Sequence, residues 1–189
     1  MTADPGAPAG IAIAGWPADP GDHAAVGRDV DALAALLRAV VYGGAGVSFF
    51  VPFSLDQGRA FWREGVLPGV AAGTRRVLVA RDAGGHIVGT VQLALAMPPN
   101  QQHRAEVLKM LVHPDARRRG IARALMTALE GVARQEGRTL LTLDTVTGCA
   151  AEPLYLSMGY VAAGVIPRFA RKALSEELED ATLMYKHLR

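Results

Sequence analysis

The sequence predicts one α/β (α+β) domain of about seven strands and about four helices, and three observations carry that expectation. At 189 residues the chain has the length of a single domain, not far above the ~150 residues that one domain ordinarily takes. Half of its residues are apolar and a fifth are charged, the supply of core-forming side chains that a disordered chain lacks. Its apolar spacing then switches repeatedly between the two-residue period of a strand and the 3.6-residue period of a helix.

Residues 1–9, with Pro5, Gly6 and Pro8, show no periodic apolar face and are expected to form a flexible tail ahead of a domain over 10–189. Gly10–Trp16 reads as a first strand. It is too short and too broken by glycine for a signal-peptide core, and Asp4 stands where a basic segment would be needed. Val30, Leu33, Leu36, Leu37, Val40 and Val41 recur at helical spacing from Asp29 to Val41, and Gly43-Gly44-Ala45-Gly46 stops that helix. A loop with Phe49 and Phe50 leads to a second helix from Ser54 through Trp62. Arg76–Ala80, Asp82–Gly85 and His86–Leu93 read as strand, tight turn and strand, a hairpin. Ala105–Val112 is the next strand, and it feeds a helix whose face carries Ile121, Leu125, Ala128, Leu129 and Val132 and which stops at Gly137. Thr139–Thr145 (strand), Ala150–Met158 (helix), Tyr160–Ile166 (strand) and Thr182–His187 (strand) complete the chain.

Composition excludes several functions. Twenty Lys and Arg against eighteen Asp and Glu leave a net charge of +2, too balanced for a protein that mainly neutralises nucleic-acid phosphates or an anionic membrane. No apolar run approaches the ~18 residues of a bilayer-spanning helix. The single cysteine, Cys149, can form neither an internal disulfide nor a multi-cysteine zinc site, so a reducing, cytoplasmic setting is expected. His103 and His113 lack any second residue at metal-ligand spacing, and no metal is expected.

The informative stretch is the strand ending at Val112 and the basic, glycine-containing turn Arg117–Gly120 that opens the next helix. The first turn of a helix has unpaired N–H groups and the positive end of the macrodipole, so it receives phosphate oxygens. Gly120 permits close approach of the backbone, Ala122 keeps the opening free of bulk, and Arg117, Arg118, Arg119 and Arg123 add positive charge. The expected ligand is a diphosphate. There is no Walker A sequence, and Gly43–Gly46 follows a helix where a Rossmann fingerprint would follow a strand.

Arg117-x-x-Gly120-x-Ala122, after Leu111-Val112-His113-Pro114, resembles the signature of the GNAT superfamily of acyl-CoA-dependent N-acyltransferases. A second stretch, Ala151-Glu-Pro-Leu-Tyr155-Leu-Ser-Met-Gly159-Tyr160, is similar to that family's Ala-x-x-Leu-Tyr-x-x-x-Gly-Phe helix, although Gly148 replaces an asparagine often found seven residues before the tyrosine. His103–Glu106, Leu143–Thr145 and Gly164–Pro167 look most like the small-molecule group that includes the tabtoxin-resistance acetyltransferase. The resemblance covers roughly 28–188. It implies a mixed, mostly antiparallel central sheet splayed between strands four and five, with acetyl-CoA as co-substrate. The backbone of Met110, Leu111 and Val112 would hold the pantetheine arm, and Arg117 to Arg123, Ile121 included, the pyrophosphate.

The resemblance also suggests catalytic residues. Glu106 has the spacing of the general-base glutamate, useful because removing a proton from an ordinary amine near pH 7 costs about 4–5 kcal/mol. Asp144 could bind the acceptor's ammonium or share the base role. Tyr155 would face the thioester sulfur. A phenol protonating a thiolate outright is uphill by roughly 2 kcal/mol at ordinary pKa values, so stabilisation of developing charge is the better reading. Cys149 has no sequence-adjacent histidine to activate it, so a covalent acyl-enzyme is not expected. Phe49, Phe50, Phe53, Phe61 and Trp62 read mostly as core, some lining the acceptor wall. The expected activity is acetyl transfer to the primary amine of a small amine or amino-acid-like molecule, by a monomer or homodimer that engages neither nucleic acid nor membrane. Two alternatives stay open: a protein N-terminus or lysine as acceptor, and a non-catalytic acyl-CoA sensor.

Overall fold

The computed structural model describes residues 7–188, so 1–6 of the expected tail, and Arg189, lie outside the described residues. β1 (Ala12–Gly15) is an edge strand antiparallel to β2 (Arg75–Arg81). α1 (His23–Tyr42) starts earlier than its apolar stripe, because Asp22 caps it by accepting from the Ala25 N–H at 2.9 Å. Residues 23–28 form a first turn and a half with only Val26 as a large apolar side chain, so spacing alone does not reveal them. α2 (Leu55–Ala60) begins with a capping box between Ser54 and Gln57. It continues through a π-helical turn, Phe61–Val66, into α3 (Leu67–Ala71), past the expected stop at Trp62.

β2 and β3 (Ile87–Ala94) form the expected hairpin, closed by the Gly85 N–H donating to the Asp82 carbonyl. β4 (Arg104–Val112), α4 (Ile121–Gln135), β5 (Leu140–Val146), α5 (Glu152–Ser157), β6 (Val161–Arg171) and β7 (Leu178–His187) follow. β6 and β7 run well beyond their expected bounds. Every β6 residue from Val161 to Ala170 is exposed, so its outer half carries no burial pattern by which to recognise it.

The seven strands make one sheet in the order β1-β2-β3-β4-β5-β7-β6, antiparallel everywhere except between β4 and β5. This is the expected mixed α/β sheet with four helical segments, counting α2, the π turn and α3 as one. α4 covers one face, burying Leu125, Met126 and Leu129 with Val91, Leu93 and Leu141. α1 and the α2–α3 segment cover the other, where Leu33, Leu37 and Trp62 pack with Val77 and Val79. A buried ion pair ties α4 to β7, Lys186 Nζ standing 2.7 Å from both oxygens of Glu130.

Candidate active site

β4 and β5 pair over three rungs only, Arg104–Glu106 against Leu140–Thr142. Beyond them the β4 edge facing β5 has no strand partner, so its backbone groups are free to bond something else. The separation starts at a β-bulge. Leu108 lies opposite Gln92 and Leu111 opposite Thr90, so β4 carries one residue too many, and Lys109 adopts a left-handed φ of +50°. A bulge bends its strand and increases the twist, which turns β4 away from its parallel neighbour.

The opening holds a cavity of about 250 Å3 lined by Val107–Met110, Leu143–Val146, the Gly44–Ser48 loop after α1, Cys149, Ala151, Tyr155 and Glu179. Met110 is on its wall. Leu111 is 1% exposed and packs in the core beneath α1, so only its backbone can serve a ligand.

Below Val112 the chain turns through Arg117–Gly120 into α4. Arg118 (φ +62°) and Gly120 (φ +78°) are both left-handed, alternating with ordinary residues, a backbone pattern that points successive N–H groups toward a common anion. No side chain caps α4, and Ile121 is buried as the first core residue of the helix. Arg118 and Arg119 are exposed. Arg117 instead bends back, its Nε reaching toward the Val112 carbonyl at 3.5 Å, and Arg123 donates to Ser157 Oγ at 2.6 Å. That bond joins α4 to α5, the helix that carries Tyr155. The shape of this turn therefore comes from the backbone, with the exposed Arg118 and Arg119 as the cations beside it.

Tyr155 is 5% exposed and packs on Tyr160 with ring centroids 5.7 Å apart. Burial pushes its hydroxyl well above the ordinary value of 10, with Cys149 and Asp144 adding to the shift. The phenol is therefore a poorer acid than in water and a dependable hydrogen-bond donor. Gly148, where the family often has asparagine, is left-handed (φ +73°) and its N–H donates to the Glu152 carboxylate. Cys149 shares a hydrogen bond with Thr145 Oγ1 at 3.2 Å.

Of the expected carboxylates, Asp144 lines the cavity and Glu106 does not. Glu106 sits on the last paired rung, opposite Thr142 and Ala94, just ahead of the wall that begins at Val107. Sequence reading missed Glu179, whose Oε1 is buried without a hydrogen bond. It also missed Gly46, whose missing Cβ leaves the room that the Glu179 carboxylate occupies, and Lys109, whose Nζ donates to Ser48 Oγ at 2.8 Å. A glycine in a loop after a helix hinted at Gly46; nothing local marks the other two. Of the aromatics, Phe53 and Trp62 are core, Phe49 packs on Phe53 and Phe61, and Phe50 is half exposed beneath the Arg171 guanidinium. Among the described residues no three His, Cys, Asp or Glu side chains gather as metal ligands, and no helix is long and apolar enough to cross a membrane.

Residues 73–162 match the family model of the acetyltransferase (GNAT) domain. Over 111 residues, 58% of this chain, the sequence is 34% identical to N-acetyltransferase 8B of Rattus norvegicus; the matched stretch is 42% of that protein, so the chain spans under half of that relative. The fold is that of a GCN5-related N-acetyltransferase from Kribbella flavida, with a TM-score of 0.73, 23% identity and coverage of 95% of this chain and 98% of the other. It is equally that of yncA, a putative acetyltransferase from Salmonella typhimurium solved with its cofactor acetyl-CoA, with a TM-score of 0.73, 20% identity and 95% coverage of both chains.

Proposed function

This chain carries a GNAT acetyltransferase domain, and we propose that it moves an acetyl group from acetyl-CoA to a primary amine of a small molecule. The observation that carries the reading is the β4–β5 opening. It has an anion-receiving backbone turn at one end, Tyr155 on its wall, and the carboxylates of Asp144 and Glu179 on the same wall.

Acetyl-CoA supplies the acetyl thioester. The residues present suit it: the uncapped first turn of α4 and the left-handed Gly120 for the diphosphate, and the unpaired β4 edge from Val107 to Val112 for the amide-bearing arm. Asp144 and Glu179 would bind the acceptor's ammonium and accept one of its protons, freeing a lone pair on nitrogen. Both are better placed for this than Glu106, which stands outside the wall. As the C–N bond forms and the C–S bond breaks, the electron pair left on sulfur would accept a hydrogen bond from the Tyr155 hydroxyl. Of the two protons the nitrogen sheds, one ends on the thiol and one in water. Because burial holds the phenol protonated, Tyr155 acts by stabilising charge and keeps its own proton.

A cavity of about 250 Å3 favours a small acceptor; a protein tail calls for a long groove. The test is a screen of primary amines with acetyl-CoA, read as free thiol. Turnover with at least one amine is the expected result. A protein that binds acetyl-CoA and releases no thiol across a broad panel would overturn the enzymatic reading in favour of a sensor.

A further inference from the structure

Lys109 is placed in a way that acetyl transfer alone does not require. It is the bulge residue of β4, and the hydroxyl that anchors its ammonium belongs to Ser48, which is itself left-handed at φ +71°. Two non-glycine residues thus occupy a sparsely populated backbone region to fix one cation in position. The ammonium stands 5.8 Å from the centroid of the Phe49 ring and 6.0 Å from that of Phe61. These rings shield it from water, and burial lowers its pKa from the ordinary value.

Half-buried ammonium groups ordinarily have an anion beside them. Lys109 makes no ion pair among the described residues, and Asp144 acts on it only at longer range. Its surroundings add more donors: Arg75, close enough to repel it, bonds Gln92 Oε1 at 2.8 Å, and the buried Gln92 Nε2 has no partner. Lys109 nevertheless lines the cavity, whose wall also carries Asp144 and Glu179. One small cavity therefore presents both an unpaired cation and two carboxylates.

We propose that Lys109 receives an anionic group of the acceptor, so that the substrate class is zwitterionic: amines with a carboxylate close to the amino group, as in a free amino acid. The inference rests on the acetyl-transfer reading and names the acceptor for the same site. Asp144 and Glu179 hold the ammonium end, and Lys109 the carboxylate end.

The experiment compares matched pairs that differ only by the carboxylate: phenylalanine with 2-phenylethylamine, leucine with 3-methylbutylamine, and methionine with 3-(methylthio)propylamine. Free thiol gives kcat/KM for each, and ligand-observed NMR gives binding without turnover. In the wild type the amino acid should exceed its amine partner by tenfold or more in at least one pair. Lys109→Met should bring that ratio to near one, chiefly through a higher KM for the amino acid, and Lys109→Arg should restore part of it. Ser48→Ala, which frees the ammonium without removing it, should lower the ratio severalfold and guards against misfolding of the methionine variant. Equal or better use of the decarboxylated amines by the wild type would overturn the proposal, as would an equal loss on both members of a pair in Lys109→Met. If no acceptor yields thiol, the transfer reading fails by itself. Lys109-dependent binding of the amino acids would then still support the zwitterion site, and its absence would refute it.

Discussion

Replacing Gly120 by valine tests whether the backbone at the head of α4 is the diphosphate site. Gly120 has φ +78° and lies where an added Cβ would meet Pro8 Cγ at 3.3 Å. The left-handed region costs an ordinary L-residue about 1–2 kcal/mol, so the ligand-free variant should melt roughly 2–8 °C lower, taking about 2–4 °C per kcal/mol for a domain of this size. The larger effect is on binding. Acetyl-CoA at one hundred times its Kd stabilises the wild type by about 2.7 kcal/mol, or roughly 5–11 °C. If valine forces the turn out of the left-handed region, the N–H groups no longer converge. A hundredfold loss of affinity would leave RT ln 2, about 0.4 kcal/mol, a shift of roughly 1–2 °C. Differential scanning fluorimetry with and without acetyl-CoA reads both quantities. Gly131→Ala is the control, since that α4 glycine has ordinary φ and open space around it; it should hold or raise the melting temperature and keep the full ligand shift. An undiminished shift in Gly120→Val would remove this turn from the cofactor site.

Four further outcomes follow from the same geometry. Tyr155→Phe should lower kcat by about tenfold to a thousandfold with little change in acetyl-CoA affinity; near-wild-type kcat, with chemistry shown to limit the rate, would make the residue merely core. Gly46→Ala puts a methyl group where the Glu179 carboxylate sits and 2.9 Å from Val146 Cγ2, so acceptor KM should rise roughly tenfold, the scale of one displaced charged contact, while acetyl-CoA KM holds. Burial raises the pKa of both Tyr155 and Tyr160 in the folded protein, so above about pH 10 the unfolded chain loses protons that the folded one keeps and stability falls. Urea midpoints between pH 9 and 11 should drop less steeply in Tyr155→Phe and Tyr160→Phe than in the wild type. Lys186→Met removes from Glu130, 6% exposed, its nearest cation, the next being Arg134 at 3.8 Å among the described residues, and should cost about 3 kcal/mol, seen as a fall of roughly 6–12 °C in Tm.

What was legible in the sequence is what short-range chemistry determines. The β2–β3 hairpin follows from Asp82–Gly85, and α4 from the spacing of Ile121, Leu125 and Leu129. The left-handed turn that opens α4 follows from Gly120 between a strand and a helix. The wall of the cavity was only partly legible. Asp144 and Tyr155 could be singled out beforehand, whereas Glu179 becomes relevant only through the pairing of β7 with β5 and β6, which carries it to Gly46. Lys109 looks like any strand lysine until the register against β3 slips and reverses its φ. Glu106 shows the converse: a suggestive sequence spacing placed it at the site, and strand register holds it on the rung just before the strands part.

The short seam between β4 and β5 has a consequence for motion. The sheet is two antiparallel halves, β1–β4 and β5–β7, joined through three parallel rungs, and the cavity lies where the joint runs out. Opening the cavity at this seam breaks the rung at Glu106 first and leaves every antiparallel ladder intact. The core under α4, where Leu141 packs with Val91 and Leu93, and the Lys186–Glu130 pair also cross the seam, so the two halves stay joined there and the freedom to part is confined to the strand ends beyond Glu106. Amide hydrogen exchange would see this as early labelling at the seam, well before the hairpin interiors. A molecule bridging both strands would hold those ends together, slowing exchange at Leu140–Thr142, residues it does not itself touch.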